Sequence, residues 1–401
     1  MMANKVANVN PVTDAITGLA LAEPTTPLRP GMTPTLRDLP TAMVRTHLQR
    51  LPEATAVAGE EPLVETDLAP GFTVVGRGSV GRGPIADMVA SARGGFVFAV
   101  NQVDNSVSRL DPETLSVVGT VADVEEPFAI AAAGSRAYVS TVSELYDAVT
   151  VLDTKTGTVI ASYPLALSVR DLVLSADGRQ VYVARTGRDG ADVAVIDTVT
   201  ERVTTIELGT RTESGAEAIT ISRDGSRLYV ATADHLGGEL VAIDTREHRV
   251  IGGIALAAQI RDIAVSPDGR QLFVAGFDTA TGAHVDIIDS RTLRVLDTVA
   301  VGGTITALVL STEGERVYLT TGDHVTVLCT ASREIIDTIT VGAEPACVVE
   351  SRDGKRVFVA DYDGGVTAFA VASTTESLLA KMMTPAALEL PALRELEPAG
   401  A

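Results

Sequence analysis

One position of a repeated sequence pattern carries charged residues, and these are the chain's strongest candidates for chemistry. The repeats place an arginine, a glutamate and a second arginine 47 and 44 residues apart, and an aspartate directly follows each arginine. Two guanidinium groups that face one space can bind a carboxylate or a phosphate through paired hydrogen bonds. The six candidate binding residues are Asp87, Arg170, Asp171, Glu217, Arg261 and Asp262.

The same charges also permit a structural interpretation. Each arginine can instead neutralise a neighbouring acid, with Asp171, Glu217 and Asp262 as the partners of Arg170 and Arg261. Burial would enforce such pairing, because a buried charge that loses its partner costs roughly 3–5 kcal/mol. We therefore expect a structural ion-pair network at this position, with anion binding as the alternative.

The candidate residues lie in a sequence repeat that predicts a strand, a tight turn and a second strand. The clearest copy is Arg261–Ala275, RDIAVSPDGRQLFVA. The related copies are RDLVLSADGRQVYVA from Arg170, EAITISRDGSRLYVA from Glu217, TALVLSTEGERVYLT from Thr306 and ACVVESRDGKRVFVA from Ala346. Successive turn acids are 40 to 47 residues apart. A period of this length is typical of architectures that build one sheet per repeat.

Each repeat contains four predicted strands. An Asp-Gly turn between two apolar runs favours a hairpin, because glycine adopts positive φ without a steric clash. The runs are apolar on both faces, so each sheet should be covered on both sides. A third strand ends in Asp followed by Thr or Ser, which can cap the next turn, and a fourth strand follows. This pattern predicts an all-β, seven-bladed β-propeller with four-stranded antiparallel blades.

The seventh blade lacks a fourth strand, and the run from Phe72 to Val75 can supply it. We expect this N-terminal outer strand to close the last blade, so that residues 71–372 form the propeller. Residues 1–70 hold nine of the eighteen prolines and are predicted to be extended or disordered, with a short helix at 41–51. Residues 373–401 are predicted to be a helical or flexible tail.

The repeats SPDGRQLFVA from Ser266 and DVAVIDTVTERVTTIELG from Asp192 resemble the YVTN β-propeller repeat family. The chain looks like an actinobacterial, mycobacterial-like member. The absence of tryptophan argues against WD40 and kelch blades, although the architecture is WD40-like. The resemblance implies a fold and little more: members include surface-layer and binding proteins, and related seven-bladed folds include lactonases and metal-cofactor oxidoreductases.

Composition limits the partners and the compartment. A formal net charge of −20 opposes non-specific binding to nucleic acid and favours cationic partners. Cys329 and Cys347 fall in different blades, which predicts free thiols and a reducing compartment. No apolar run is long enough for a transmembrane helix, and the N-terminus is a poor signal peptide. We expect a cytoplasmic protein, with export or envelope association by a non-standard route as the alternative.

No sequence motif identifies a reaction or a cofactor, and we expect the protein to have no cofactor. His235, His284 and His324 are expected in loops between the second and third strands of three adjacent blades, with isolated solvated side chains favoured over a shared metal. The acidic loops on that face could hold Ca²⁺, but their spacing predicts no particular metal.

The favoured function is a non-catalytic binding or scaffold propeller that mediates a protein or small-ligand interaction. The first alternative is a lactonase-like enzyme or anion-binding protein that uses the mouth of the propeller's central channel. The second is a cation-binding cell-envelope protein. The expected partner is another protein, bound through the propeller face or through the predicted terminal helices, with the oligomeric state left open.

Overall fold

The computed structural model describes residues 71–372, apart from 92–94, 144–145, 166–167, 188–189, 211–212 and 342–343. This part of the chain forms 28 strands in seven four-stranded antiparallel sheets. The predicted N-terminal segment and C-terminal tail, including both predicted helices, lie outside the described residues. Within the described residues, no helix has the length and the apolar character needed to cross a membrane.

The sheets are the blades of a propeller, and all but the last take their strands in chain order. Blade 1 consists of β2 Ile85–Ala90, β3 Val97–Asn101, β4 Ser106–Leu110 and β5 Val117–Val121, and blade 2 of β6 Pro127–Ala133, β7 Arg136–Thr141, β8 Asp147–Asp153 and β9 Thr158–Leu165. Blade 3 consists of β10 Ser168–Leu174, β11 Gln180–Gly187, β12 Gly190–Asp197 and β13 Val203–Glu207, and blade 4 of β14 Gly215–Ile221, β15 Arg227–Asp234, β16 Gly237–Asp244 and β17 Arg249–Leu256. Blade 5 consists of β18 Gln259–Val265, β19 Gln271–Asp278, β20 Gly282–Asp289 and β21 Arg294–Ala300. Blade 6 consists of β22 Ala307–Leu310, β23 Arg316–Thr320, β24 His324–Cys329 and β25 Ile335–Thr340. Blade 7 consists of β26 Pro345–Glu350, β27 Arg356–Asp361, β28 Gly365–Val371 and β1 Phe72–Ser79.

The first strands of the blades form the inner ring. Each contacts its neighbours in the order β2, β6, β10, β14, β18, β22, β26 and back to β2. One face of the propeller carries the connections into these strands and the turns between second and third strands. We call it the upper face. The opposite, lower face carries the turns between first and second strands and between third and fourth strands.

The N-terminal strand closes the ring, as predicted. β1 pairs antiparallel with β28, from Phe72 opposite Val371 to Ser79 opposite Gly365. The ring of Phe72 lies 6.3 Å from that of Tyr318 in the neighbouring blade. The Arg316 guanidinium stacks on Phe72 at 5.7 Å. The last blade is therefore built from both ends of the propeller chain, and β1 covers the outer edge of β28 that would otherwise be free.

The Asp-Gly turns on the lower face form as expected, in a wider loop than a two-residue hairpin. Ser266 Oγ donates to Asp268 Oδ1 at 2.6 Å, and Asp268 Oδ1 accepts the amide of Arg270 at 3.0 Å. The Gly269 amide donates to the Ser266 carbonyl, and Gly269 has a φ of 71°. Only the glycine occupies the left-handed region, so the aspartate serves as a cap.

The Asp-Thr pairs after the third strands also act as predicted. Asp197 Oδ1 accepts the amides of Val199 and Thr200 at 2.9 and 2.7 Å. Thr198 Oγ1 donates to the carbonyl of Gly178, in the other lower turn of the same blade. The same hydroxyl-to-glycine bond recurs at Thr245–Gly225, Ser290–Gly269 and Thr330–Gly314. The two lower turns of these blades are thus tied together.

The hydrophobic core lies between blades. Seven buried clusters each combine residues of two neighbouring blades, as the apolar character of both strand faces requires. One fully buried aromatic ring lies on the second strand of every blade: Phe98, Tyr138, Tyr182, Tyr229, Phe273, Tyr318 and Phe358. These rings account for much of the buried apolar area and fix the spacing of the blades.

Candidate functional site

The six candidate residues lie on the inner strands, near the upper end of the channel. A β-bulge occurs at this position in several blades, with the register shifting between Ile85 and Asp87, Val169 and Asp171, and Ile260 and Asp262. A bulge leaves one residue out of the ladder and turns main-chain groups away from their usual partners. Arg170, Glu217 and Arg261 are the bulged residues of blades 3, 4 and 5.

The three aspartates satisfy these displaced amides. Asp87 accepts the amide of Met88 at 2.7 Å and that of Ile130, in blade 2, at 2.9 Å. Asp171 accepts Leu172 and, from blade 4, Ile219 at 2.9 Å. Asp262 accepts Ile263 and, from blade 6, Leu308 at 2.6 Å. Each carboxyl therefore links the inner strand of its own blade to that of the next.

These links divide the propeller into blade pairs. Aspartate occupies the position in blades 1, 3 and 5, and alanine occupies it in blades 2, 4 and 6, as Ala129, Ala218 and Ala307. Alternation cannot continue around an odd number of blades, and Cys347 takes the position in blade 7. The links therefore join blades 1–2, 3–4 and 5–6.

Burial perturbs the three carboxyls. Each keeps some surface open to the channel, but the surrounding protein leaves its charge poorly hydrated. Desolvation, which outweighs the amide hydrogen bonds, raises the pKa of Asp87 to about 8, that of Asp262 to about 7 and that of Asp171 to about 6. The charge of Asp171 further raises the pKa of the other two aspartates, so these carboxyls share one space.

Arg170 lies between two neighbouring blades. Its Nη2 is 3.3 Å from Glu217 Oε2 in blade 4, and its guanidinium stacks on the Phe128 ring in blade 2 at 5.5 Å. Its side chain is 41% exposed, so this pair remains accessible from the upper face. Phe128 occupies the position of Arg170 in the preceding repeat, and that alignment is the sequence signal that could have identified the stacking.

Arg261 behaves differently from the expected network. It is exposed, and no ion pair or side-chain hydrogen bond in the described part of the chain involves it. Asp262, its expected partner, is held by main-chain amides instead. The structure thus brings Arg170 and Glu217 together as predicted, whereas the expected pairing of Arg261 with Asp262 is wrong.

The histidines and acidic loops do not assemble as one centre. His235 lies in the turn between β15 and β16 as expected, but the loop positions predicted for the other two histidines are wrong. His284 lies within β20 and is buried with its Nε2 3.8 Å from Asp286 Oδ2, and His324 is the first residue of β24. Asp278 and Asp361 accept amides of their own turns. Among the residues described, no group of three or more His, Cys, Asp or Glu side chains could hold a metal ion.

Comparisons with known proteins agree with this architecture. The chain is 38% identical over 360 residues to the seven-bladed beta-propeller protein Rv1057 of Mycobacterium tuberculosis, covering 81% of this chain and 91% of the relative. No protein-family model matches, so the assignment to YVTN repeats stays a prediction.

Solved structures share the fold at low sequence identity. Kuenenia stuttgartiensis hydrazine synthase superposes with a TM-score of 0.62 at 23% identity, covering 79% of this chain and 99% of that one. The β-propeller domain of Myceliophteria thermophila Cps50 (Swd1) superposes with a TM-score of 0.61 at 14% identity, covering 74% and 100%. These likenesses concern the fold alone. On the strength of the mycobacterial relative, the chain belongs to the family of seven-bladed β-propeller proteins that includes Rv1057.

Proposed function

We propose that the protein is a non-catalytic binding propeller whose upper channel mouth takes a small ligand with an anionic group. The observation that carries this proposal is the exposed Arg261, which has no side-chain partner in the described part of the chain. A planar guanidinium left free on a rigid inner strand is suited to a carboxylate or phosphate. Arg170 lies on the equivalent bulge two blades away and provides a second, half-exposed cation.

The acidic members of the site have supporting roles. Both oxygens of Asp87, Asp171 and Asp262 accept main-chain amides, a task that fixes the backbone rather than activates a ligand. Glu217 orients Arg170. The strongly negative chain repels anions at long range, so the ligand must gain its affinity from short, directed contacts at the mouth.

The test is titration calorimetry with inorganic phosphate and with acetate. Arg261→Ala should weaken binding about tenfold or more, because it removes a charge-assisted bidentate contact. Its melting temperature should stay close to that of the wild type, since exposed unpaired side chains contribute less than about 0.5 kcal/mol. The matched control is Arg291→Ala, which removes an exposed arginine of the lower face.

Equal phosphate affinity in the two variants would refute the anion site. Turnover of a lactone that Arg261→Ala abolishes would replace the proposal with the enzymatic alternative.

A protein partner on the upper face is the second candidate, and exposed apolar side chains favour it. Phe128, Leu236, Phe277 and Tyr362 are 36%, 64%, 42% and 46% exposed, and they come from different blades of that face. Exposed apolar side chains within a polar surface are typical of protein interfaces. Docking through the two predicted terminal helices belongs to the same proposal.

Phe277→Ser/Tyr362→Ser should fold normally and lose partner binding. The double variant Val295→Ser/Leu296→Ser, on the outer strand β21, should keep partner binding. Loss of partner binding in both variants would instead indicate a general loss of surface hydrophobicity.

A further inference from the structure

Several blades carry polar residues near the upper ends of their second, third or fourth strands, within otherwise apolar faces. In blade 3 these are Arg185 on β11, Asp192 on β12 and Thr205 on β13. The Arg185 Nε and Nη2 lie 2.7 and 2.8 Å from the two carboxylate oxygens of Asp192, and Nη2 is 3.3 Å from Thr205 Oγ1. We call this set the polar layer.

Other blades fill the polar layer with their own side chains. In blade 1, Asn101 Nδ2 donates to Ser106 and Ser108 at 3.0 and 2.8 Å. In blade 5, Thr298 Oγ1 donates to Asp286 at 2.5 Å, beside His284. In these blades the polar side chains bond to one another, although the buried Asn101 Oδ1 accepts no hydrogen bond among the described residues.

Blade 2 does not fill the layer. The strand registers place Thr141, Ala148 and Ser162 of blade 2 at the positions that Arg185, Asp192 and Thr205 of β13 occupy in blade 3. These side chains are small, and a cavity of about 350 Å³ occupies the space between blades 1 and 2. That volume is at the lower end of the range for small-molecule sites.

The chemistry of the cavity wall is polar and negative. Its inner wall includes Thr141 and Thr150, which are 7% and 9% exposed. Their hydroxyls lie 3.4 Å apart, and Thr141 Oγ1 donates to the Ala148 carbonyl at 3.3 Å, which leaves lone pairs on both hydroxyls as acceptors. Its rim includes Asp123 and Glu125, which form no ion pair among the described residues. No basic side chain lines it among the residues that the structure describes.

The rim is held in place by the main chain. The amide of Val124 donates to the Asn105 carbonyl, and that of Glu126 donates to Asn105 Oδ1, both at 3.0 Å. The amide of Val142 donates to the Glu125 carbonyl. The two carboxylates therefore stand on a connection tied to both blades, and a ligand need not order it.

We propose that this cavity binds a small organic cation with a guanidinium or ammonium head group. Blade 3 shows that the polar layer accommodates a guanidinium, there supplied by Arg185 and neutralised by Asp192. Blade 2 lacks both side chains and instead provides two carboxylates, which form no ion pair with any described residue, and buried hydroxyl acceptors. A ligand cation completes the layer with the charge-assisted bonds that the protein forms internally in blade 3. This site is separate from the channel mouth, so either proposal can fail without the other.

Titration calorimetry tests the proposal, with agmatine as the cationic probe and glucose as an uncharged polyol. The wild type should bind agmatine and not glucose. Asp123→Asn and Glu125→Gln should each weaken agmatine binding about tenfold. Both side chains are exposed, so both variants should fold. Asp363→Asn, which removes an exposed carboxylate of the same face in blade 7, is the matched control and should bind as the wild type does.

A second variant fills the space. Thr141→Arg/Ala148→Asp builds the ion pair of blade 3 into blade 2 and should abolish agmatine binding. In amide NMR spectra, agmatine should shift the signals of Thr141 and Thr150 in the wild type. Equal weakening in Asp363→Asn, glucose binding as tight as that of agmatine, or no heat at roughly 5 mM agmatine would each overturn the proposal.

Discussion

Asp87 on the inner strand of blade 1 accepts a hydrogen bond from the main-chain amide of Ile130 on the inner strand of blade 2, at 2.9 Å. Asp171 and Asp262 repeat this bond to blades 4 and 6. The bonds connect strands that pack side by side without sharing a sheet. Because these carboxyls are poorly hydrated, their protonation couples the contacts between blades to pH.

Stability should fall as the pH rises through the neutral range. The three carboxyls have raised pKa values in the folded protein, about 6 for Asp171, 7 for Asp262 and 8 for Asp87, against 3.8 for the ordinary group. Between these values the folded state binds more protons than the unfolded state. Their contribution is fully present below a pH of about 4 and is lost as pH rises through 6, 7 and 8. Thermal melts across this range should show a falling melting temperature.

Two variants check the origin of that slope. Asp262→Asn removes one titrating group and should flatten it. Asp177→Asn, in an exposed lower turn, should leave it unchanged, because hydrogen bonds from Ser175 and Arg179 lower the pKa of Asp177 and place its titration in acid. A melting temperature that rises between pH 6 and 8 would contradict the assignment.

The buried ion pair of blade 3 should be costly to break. Arg185→Ala leaves the Asp192 carboxylate buried without its bidentate partner and should cost roughly 3–5 kcal/mol of unfolding free energy. Arg179→Ala removes the exposed Arg179–Asp177 pair, whose N–O distance is 4.0 Å, and should cost less than about 1 kcal/mol. Urea denaturation measures both, and similar losses would show that the buried pair is not a structural anchor.

The closing strand should be essential, and the residues before it dispensable for folding. Deletion of residues 1–65 keeps β1 and should leave the thermal transition nearly intact. Deletion through residue 80 removes β1, exposes the edge of β28 and the neighbouring core, and should cause aggregation. Thermal melts with light scattering compare the two, and equal stability would contradict closure by β1.

Cys329 should be the reactive thiol. It replaces the turn-capping aspartate of other blades. Although partial burial raises the pKa of its thiol, hydrogen bonds from Ser332 and Ala331 outweigh this and hold the pKa below its usual value. Burial raises the pKa of the Cys347 thiol. Iodoacetamide should label Cys329 at least about tenfold faster, and Cys329→Ser should lose that labelling. Preferential labelling of Cys347 would contradict these environments.

Local signals predicted the fold because the fold is local and repetitive. The Asp-Gly turns, the capping aspartates and the apolar runs each act within one blade, so one strong copy, Arg261–Ala275, identifies the others. Counting strands then predicted closure, since the run at Phe72 matched the strand that blade 7 lacked. The loop positions predicted for His284 and His324 were wrong because β20 begins at Gly282 and β24 begins at His324, which places both histidines in strands.

Site chemistry followed the sequence less well, because adjacent residues on a strand point in different directions. Arg261 and Asp262 are neighbours in the chain, yet one is exposed to solvent and the other binds the amide of Leu308 in the next blade. The repeat alignment found the right positions, but it could not say which charges would meet.

The sequence by itself determined seven four-stranded blades, their turns and the strand that closes them, because periodic apolar runs and turn residues act over a few positions. Tertiary structure alone decided that aspartates join blades in pairs, that Arg261 has no side-chain partner among the described residues and that blade 2 leaves a cavity. Each of these depends on whether side chains from blades some 40 residues apart in sequence fill the same space. A local sequence pattern extends over a few residues only and therefore cannot predict such contacts.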